Sequence, residues 1–159
     1  MNSSSPLPRH ARLPSLAKAA FALLLALGCA CAFAALEEAP SDLPAAKVHR
    51  TPGTTSAGAG YTDIGRTLKS GTVVHEFVDA TGSVFAVTWS GPFKPDLKKL
   101  LGRHFGALGQ GAQGGGNPGP AGASTDDVVI QSGGHMGAFE GRAWIPSRLP
   151  AGFDTQEMK

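Results

Sequence analysis

Three strand-like runs, separated by short turns that contain glycine, constrain the fold of this chain more than any other feature of its sequence. The runs cover residues 61–68, 72–78 and 83–89. Gly71 and Gly82 stand in the turns between them, where hairpin loops need a positive φ that glycine adopts without steric cost. The third run is almost continuously apolar, which is typical of a strand covered on both faces. The pattern predicts a three-strand antiparallel meander whose third strand lies in the core.

An amphipathic helix is expected after the meander. Pro95 suits the first helical position, and Asp96 complements the positive end of the helix dipole. Apolar side chains recur at helical spacing, at Leu97, Leu100, Leu101 and Phe105. They form one stripe that can pack against the sheet, and Gly106 is placed to end the helix.

The C-terminal part predicts a hairpin. Residues 127–131 and 136–145 have the pattern of strands, and the Ser-Gly-Gly-His segment at 132–135 has the pattern of a turn between them. Pro146 ends the second strand. Together these elements predict a small α+β domain over residues 61–147, with an antiparallel sheet of about five strands and one helix.

Three further segments show no periodic pattern. Residues 35–60 contain several prolines and a stretch of Thr, Ser, Ala and Gly, which predicts a disordered N-terminal tether. Residues 106–125 are rich in glycine and lack a phosphate-binding motif, so we expect a mobile low-complexity loop. Residues 148–159 are expected to form a polar tail.

Residues 1–34 have the three parts of a secretory signal peptide. The basic residues are Arg9, Arg12 and Lys18, and an apolar run follows them. Ala32 and Ala34 supply the small side chains at positions −3 and −1 of a cleavage site before Ala35. The alternatives are an uncleaved membrane anchor and a lipoprotein cut before Cys29. A cleaved signal peptide and both alternatives place the rest of the chain outside the cytoplasm.

Cleavage would change the chemistry of the chain. Both cysteines, Cys29 and Cys31, leave with the signal, so the mature domain must be stable without disulfides. Three of the fourteen basic residues also leave, so eleven remain against twelve acidic residues, a net charge of −1. This balance does not resemble the basic surface of a nucleic-acid-binding protein.

Four segments of the mature chain carry a pattern shared with a known family: residues 70–92, 95–102, 132–136 and 141–147. The first of them reads SGTVVHEFVDATGSVFAVTWSGP. They resemble the domain of unknown function 2844 family, which comprises uncharacterised exported proteobacterial proteins. The resemblance implies an exported single-domain protein and assigns no activity, so it supplies no catalytic residue.

The predicted turn at residues 132–135 is the strongest candidate for a functional site. Gly133 and Gly134 would let backbone N–H groups face a ligand, and His135 could act as an acid, a base or a metal ligand. A tight hairpin turn explains the same residues. Trp89 and Trp144 each end a strand beside a turn that contains proline. They are candidates for a platform that stacks a sugar or a peptide, and core packing is the other interpretation.

A second histidine, His75, precedes Glu76. Adjacent strand residues point to opposite faces, so these two side chains cannot share a site. A metal site formed by His75, His135 and Asp126 or Asp127 is an alternative, but no ligand-spacing motif is present and we expect no metal.

These features predict an exported envelope protein that acts as a non-catalytic binding or interaction module. We expect it in the periplasm, with the outer surface or the extracellular medium as alternatives. The expected partner is another envelope protein or a surface component, with no cofactor and no nucleic acid. Contact with a membrane is expected only if the N-terminal segment is uncleaved or lipidated. The alternative function is a small periplasmic hydrolase or metal-dependent enzyme with a site around His135.

Overall fold

A computed structural model describes residues 36–111 and 121–158 of the protein. The proposed signal peptide and the cleavage residues Ala32, Ala34 and Ala35 lie outside the described residues, as does the centre of the glycine-rich segment. In the described part of the chain, no helix is both long enough and apolar enough to cross a bilayer.

The described residues form one antiparallel sheet of seven strands, two short α-helices and two 3-10 turns. The strands are β1 (Ala45–Thr54), β2 (Gly60–Leu68), β3 (Val73–Val78), β4 (Val84–Gly91), β5 (Ala121–Ser124), β6 (Val129–His135) and β7 (Ala138–Trp144). The helices are α1 (Leu97–Leu101) and α2 (Phe105–Gly111). The strand order is β1-β2-β3-β4-β7-β6-β5. The structure is therefore mostly sheet, in rough agreement with the α+β prediction.

The predicted meander is present, but it is larger than expected. β2, β3 and β4 follow the three predicted runs closely, and Gly71 and Gly82 have φ of 87° and 88° in the turns. Every residue of β4 from Val84 to Trp89 is buried, which confirms that this strand lies in the core. β1 adds a fourth strand, so the prediction of a three-strand meander is wrong in its extent.

The predicted disordered tether over residues 35–60 is wrong for its described part. β1 pairs with β2 along its length. Upstream of β1, the N–H of Glu37 donates to the carbonyl oxygen of Val84 at 2.7 Å, and the N–H of Val84 donates to the carbonyl oxygen of Glu38 at 2.9 Å. The side chains of β1 are mostly exposed on both faces. This edge strand therefore has no apolar periodicity that a sequence pattern could reveal.

The single predicted helix is broken into two. The side chain of Asp96 caps α1 by accepting a hydrogen bond from the N–H of Lys99 at 3.1 Å. Gly102, with φ of 51°, ends α1 and starts a 3-10 turn that leads into α2. Glycine adopts this positive φ without strain, which explains the break.

The predicted apolar stripe of the helix is confirmed only in part. Leu100 and Leu101 are buried, and Leu97 packs against the same core. The predicted place of Phe105 on this stripe is wrong, because 41% of its surface is exposed. α2 and β5 occupy the two ends of the predicted mobile loop at residues 106–125, so that prediction is wrong for these ends.

The C-terminal hairpin is present with a displaced turn. Ser132, Gly133, Gly134 and His135 belong to β6, and His135 pairs with Ala138. The turn is formed by the next two residues, the second of which is a glycine with φ of 90°. The prediction that residues 132–135 form the turn is therefore wrong, because the turn lies at residues 136–137.

One face of the sheet, which we call the helix face, packs against the helices and the first described residues. Its core contains buried leucines from the covering segments and buried side chains from five strands. They include Leu36, Leu43, Leu100, Leu101, Ile64, Val74, Val87, Trp89, Ile130 and Ala143. This cluster is the larger of two and is the main hydrophobic core of the domain.

The opposite face, which we call the tail face, is covered in part by the segment from 146 to 158. Phe153 stacks edge-on against Phe85 with ring centroids 4.8 Å apart, and Met158 is buried in the same cluster. The predicted polar tail at residues 148–159 is thus wrong for its described part. The partner of Val78 is Val84, whereas the partner of Phe77 is Ala86, so β4 has one extra residue here. This bulge places Phe85 and Ala86 in the tail-face cluster.

Candidate functional site

A row of polar side chains crosses the tail face beside the C-terminal segment. Cross-strand partners point to the same face of a sheet. The register aligns Gly65, His75, Thr88, Arg142 and Gln131 on β2, β3, β4, β7 and β6. The C-terminal segment covers this row only in part, since Gln131 is exposed and His75 and Arg142 are half-buried.

An acid–histidine pair lies at the β2–β3 end of the row. Nδ1 of His75 lies 2.8 Å and 3.0 Å from the two carboxylate oxygens of Asp63. The side chains are 30% and 27% exposed. Gly65 makes room for the ring, because a Cβ there would lie 3.3 Å from Cε1 of His75. The hydrogen bond that His75 donates to the carboxylate of Asp63 raises the pKa of His75; burial opposes this shift, and the attraction between the two charges adds to it.

Arg142 occupies the middle of the row. Its Nε donates to Oε1 of Gln131 at 2.7 Å, and its Nη1 donates to the carbonyl oxygen of Thr155 at 3.1 Å. Its guanidinium carbon also lies 5.7 Å from the ring centroid of Trp144. No carboxylate forms an ion pair with Arg142 among the described residues. Arg142 is therefore a half-buried cation held in one orientation by neutral groups.

A groove of about 700 Å³ opens beside Arg142 over strands β4 to β7. It is lined by polar residues whose register places them on the tail face: Thr88, Ser90, Gln131, Glu140 and Arg142. Gly122, Gly133 and Gly141 also line it. The register places Gly122 opposite Gln131 and Gly133 opposite Glu140, so the absence of side chains at these two glycines leaves the groove open. This volume lies within the range of about 300–1,000 Å³ that is typical of small-molecule sites.

A second polar group lies on the helix face and has a structural role. The carboxylate of Glu76 accepts a hydrogen bond from Nε of Arg66 at 2.8 Å and another from the N–H of Ser41 at 2.6 Å. The side chain of Glu76 is only 2% exposed. The prediction that His75 and Glu76 point to opposite faces is confirmed. Glu76 ties the first described segment to the sheet and is not accessible to a ligand.

The residues around the predicted turn are not brought into one site. Gly133 lines the groove, whereas Gly134 has φ of 108° and a Cβ there would lie 2.1 Å from the carbonyl oxygen of Ala138. His135 is exposed at the end of β6, with Nδ1 3.1 Å from the carbonyl oxygen of Met136. It has no carboxylate or hydroxyl partner among the described residues. Of Gly133, Gly134 and His135, only Gly133 lines the groove.

The two tryptophans lie on opposite faces, so they cannot form one stacking platform. Trp89 is 2% exposed on the helix face, and its Nε1 has no hydrogen-bond partner in the described part of the chain. Gly141 accommodates its ring, because a Cβ there would lie 2.2 Å from Cζ2 of Trp89. Trp144 packs on the tail face, below Arg142. The core-packing interpretation describes both residues.

The residues proposed for a metal site are far apart in the sheet. His75 lies on β3 and His135 on β6, with β4 and β7 between them. Asp126 and Asp127 are exposed in the segment before β6. Over residues 36–111 and 121–158, no group of three or more His, Cys, Asp or Glu side chains is arranged to hold a metal ion.

The fold and the groove define a small single-sheet domain with one covered face and one partly open polar face. The chain belongs to the family described as "Protein of unknown function (DUF2844)", whose family model matches residues 32–158. This match confirms the resemblance seen in the sequence. Searches of curated proteins and of solved structures gave no match.

The sequence did not reveal the central residues of the groove. Arg142 and Gln131 are eleven positions apart, and their contact depends on the pairing of β6 with β7. Asp63 and His75 are likewise joined only by the pairing of β2 with β3. Alternation within each predicted strand could have placed these side chains on one face. The register between strands was needed to bring them together.

Proposed function

We propose that this protein is an exported envelope protein that binds a small ligand without catalysis, and that Arg142 recognises a carboxylate of this ligand. The main support for this proposal is that Arg142 lies half-buried in the groove with only neutral partners among the described residues. Arginine forms bidentate hydrogen bonds with carboxylates, and its fixed orientation reduces the entropy lost on binding.

The other side chains of the groove fit this ligand class. Glu140 stands on the same strand two residues from Arg142, so both side chains are on the tail face. Gln131 and Ser90 supply further donors and acceptors. A ligand with a carboxylate at Arg142 and an amino or hydroxyl group near Glu140 would satisfy both charges. A short peptide with a free C-terminus meets this description.

The proposal can be tested with dipeptides that are capped at the N-terminus. Dipeptides with a free C-terminal carboxylate are compared with the same dipeptides in amidated form. Residues 32–159 form a compact unit, so this part of the chain can be purified without the apolar leader. At ten times Kd, a ligand stabilises the folded state by about 1.4 kcal/mol, which raises Tm by several degrees. We expect this shift with free carboxylates only.

Arg142→Gln should abolish the shift, whereas Arg50→Gln should not. Arg50 is an exposed arginine of the edge strand β1 and is the matched control. Equal shifts with amidated peptides, or an unchanged shift in Arg142→Gln, would contradict the proposed role of Arg142.

Export is part of the proposal and has its own test. It is supported by the basic, apolar and small-residue segments of residues 1–34. Mass spectrometry of the protein recovered from the cell envelope should find a chain that starts at Ala35. A chain that starts at Met1 would contradict cleavage, and recovery in the cytoplasm would contradict export.

A further inference from the structure

Three turns meet at the end of the sheet where β2, β4 and β6 finish. We call this region the turn end: residues 69–71, 92–94 and 136–137. Its turns are linked by contacts. The hydroxyl of Thr72 donates to the carbonyl oxygen of Phe93 at 2.6 Å, and Nζ of Lys94 lies 5.7 Å from the ring centroid of Phe139. Both contacts bring the turn at residues 92–94 together with residues that lie beside the other two turns.

The turn end carries two exposed large apolar side chains. In the described part of the chain, the exposed large apolar side chains are Val48, Phe93, Phe105 and Met136. Phe93 is 60% exposed and Met136 is 91% exposed, and both belong to the turn end. Phe105 adjoins it, because it lines a second cavity of about 540 Å³ together with Lys94 and Lys98.

The charged side chains around these apolar groups are mainly basic. Lys69, Lys94 and Lys98 are exposed, and none of the three forms an ion pair among the described residues. The nearby Asp96 carboxylate is engaged in capping α1. Exposed apolar tips flanked by lysines are typical of a surface that enters the headgroup region of an anionic membrane.

We infer that the turn end docks on an anionic lipid surface, with Phe93 and Met136 inserted among the lipid headgroups and the lysines facing the phosphates. Lysine is depleted at protein–protein interfaces, and this favours a membrane over a protein partner. Insertion of the two apolar side chains removes their surface from water. The docking does not depend on the N-terminal segment, and it leaves the groove beside Arg142 as a separate site.

Sedimentation with lipid vesicles tests this inference directly. The part of the chain from residue 32 to 159 would be mixed with vesicles of phosphatidylcholine alone, or with added phosphatidylglycerol. We expect binding to the anionic vesicles and about a tenfold or greater loss with neutral ones. Each lysine near an anionic surface contributes a factor of about five. The variant Lys69→Gln with Lys98→Gln should therefore bind about 25-fold more weakly, and high salt should also weaken binding.

The apolar contribution requires a second variant. Phe93→Ser with Met136→Ser changes two exposed turn side chains, so it should fold normally, as circular dichroism would verify. It should bind anionic vesicles at least tenfold more weakly. Val48→Ser is the matched control, because Val48 is an exposed apolar residue of the edge strand β1 outside the turn end, and this variant should bind like the unmodified chain. The inference is overturned if the unmodified chain does not sediment with anionic vesicles, or if the Phe93/Met136 variant binds them unchanged.

Discussion

The two faces of the sheet differ in how they are covered. The helix face is sealed by α1, α2 and the segment before β1, and it holds the larger hydrophobic cluster. The tail face carries a smaller aromatic cluster under the C-terminal segment and a polar row beside it. The larger cluster makes the helix face the main source of stability, whereas the tail face keeps a groove open beside Arg142.

The two tryptophans test this division most strongly. Trp89→Ala should lower the free energy of unfolding by about 3–5 kcal/mol, because it removes a fully buried aromatic side chain. Trp144→Ala should cost only about 2 kcal/mol, since Trp144 is half-buried. Urea denaturation of both variants gives the comparison. Equal losses would show that the tail face is packed as tightly as the helix face.

The buried ion pair of the helix face provides the next largest effect. Arg66→Met should cost about 3 kcal/mol, because it leaves the carboxylate of Glu76 buried with only the N–H of Ser41 as a partner. Replacing Glu76 by Met in the same chain should recover part of this loss. A double-mutant cycle measures both effects. If the double variant were less stable than Arg66→Met, the cost would not come from the unpaired charge.

Coverage by the C-terminal segment should depend on Phe153. Phe153→Ala should cost about 2 kcal/mol, less than for a fully buried phenylalanine, because this side chain is only partly buried. The change should also expose Phe77 and Phe85, which it contacts at centroid distances of 5.6 Å and 4.8 Å. Urea denaturation and binding of a hydrophobic dye measure these effects. If Phe153→Ala lowered the free energy of unfolding by less than about 0.5 kcal/mol, the packing of this segment on the sheet would contribute little to stability.

The smallest expected effect depends on pH. Folding raises the pKa of His75, so its pairing with Asp63 stabilises the fold fully below the unfolded value of about 6.5. This stabilisation is lost as the pH rises through the raised pKa. Asp63→Asn should therefore cost about 0.5–1 kcal/mol at pH 5.5 and less at pH 8.5.

Stability curves at the two pH values measure this change. Asp42→Asn is the control, since Asp42 is exposed and pairs with Lys99. The same loss for Asp63→Asn at both pH values would contradict the role of His75 protonation.

The sequence predicted those parts of the fold in which apolar side chains recur with a period. β2, β3 and β4 have such a pattern, and so does α1 up to Leu101. β1 has no buried face, and Pro52 within it argued against a strand. β5 lies beside a stretch dominated by glycine. These edge strands are held by backbone pairing with their neighbours, and backbone pairing leaves little trace in side-chain patterns.

The polar row was less predictable than the fold. Glycines drew attention to residues 132–135, but Gly134 serves the backbone path of β6, and of these residues only Ser132 and Gly133 line the groove. Arg142 gave no signal because it stands in an imperfectly alternating strand. Its importance comes from its neighbours Gln131 and Thr155, whose positions depend on the sheet register and on the C-terminal segment.

The strand order also has a consequence for the time course of folding. β1 to β4 pair in sequence and need only short loops to close. β4 and β7 are neighbours in the sheet, although α1, α2, β5 and β6 lie between them in the chain. Closing this long connection has a larger entropic cost, and non-local pairing slows folding. We expect the meander to form early and the β4–β7 pairing to limit the rate, so the groove beside Arg142 is completed last.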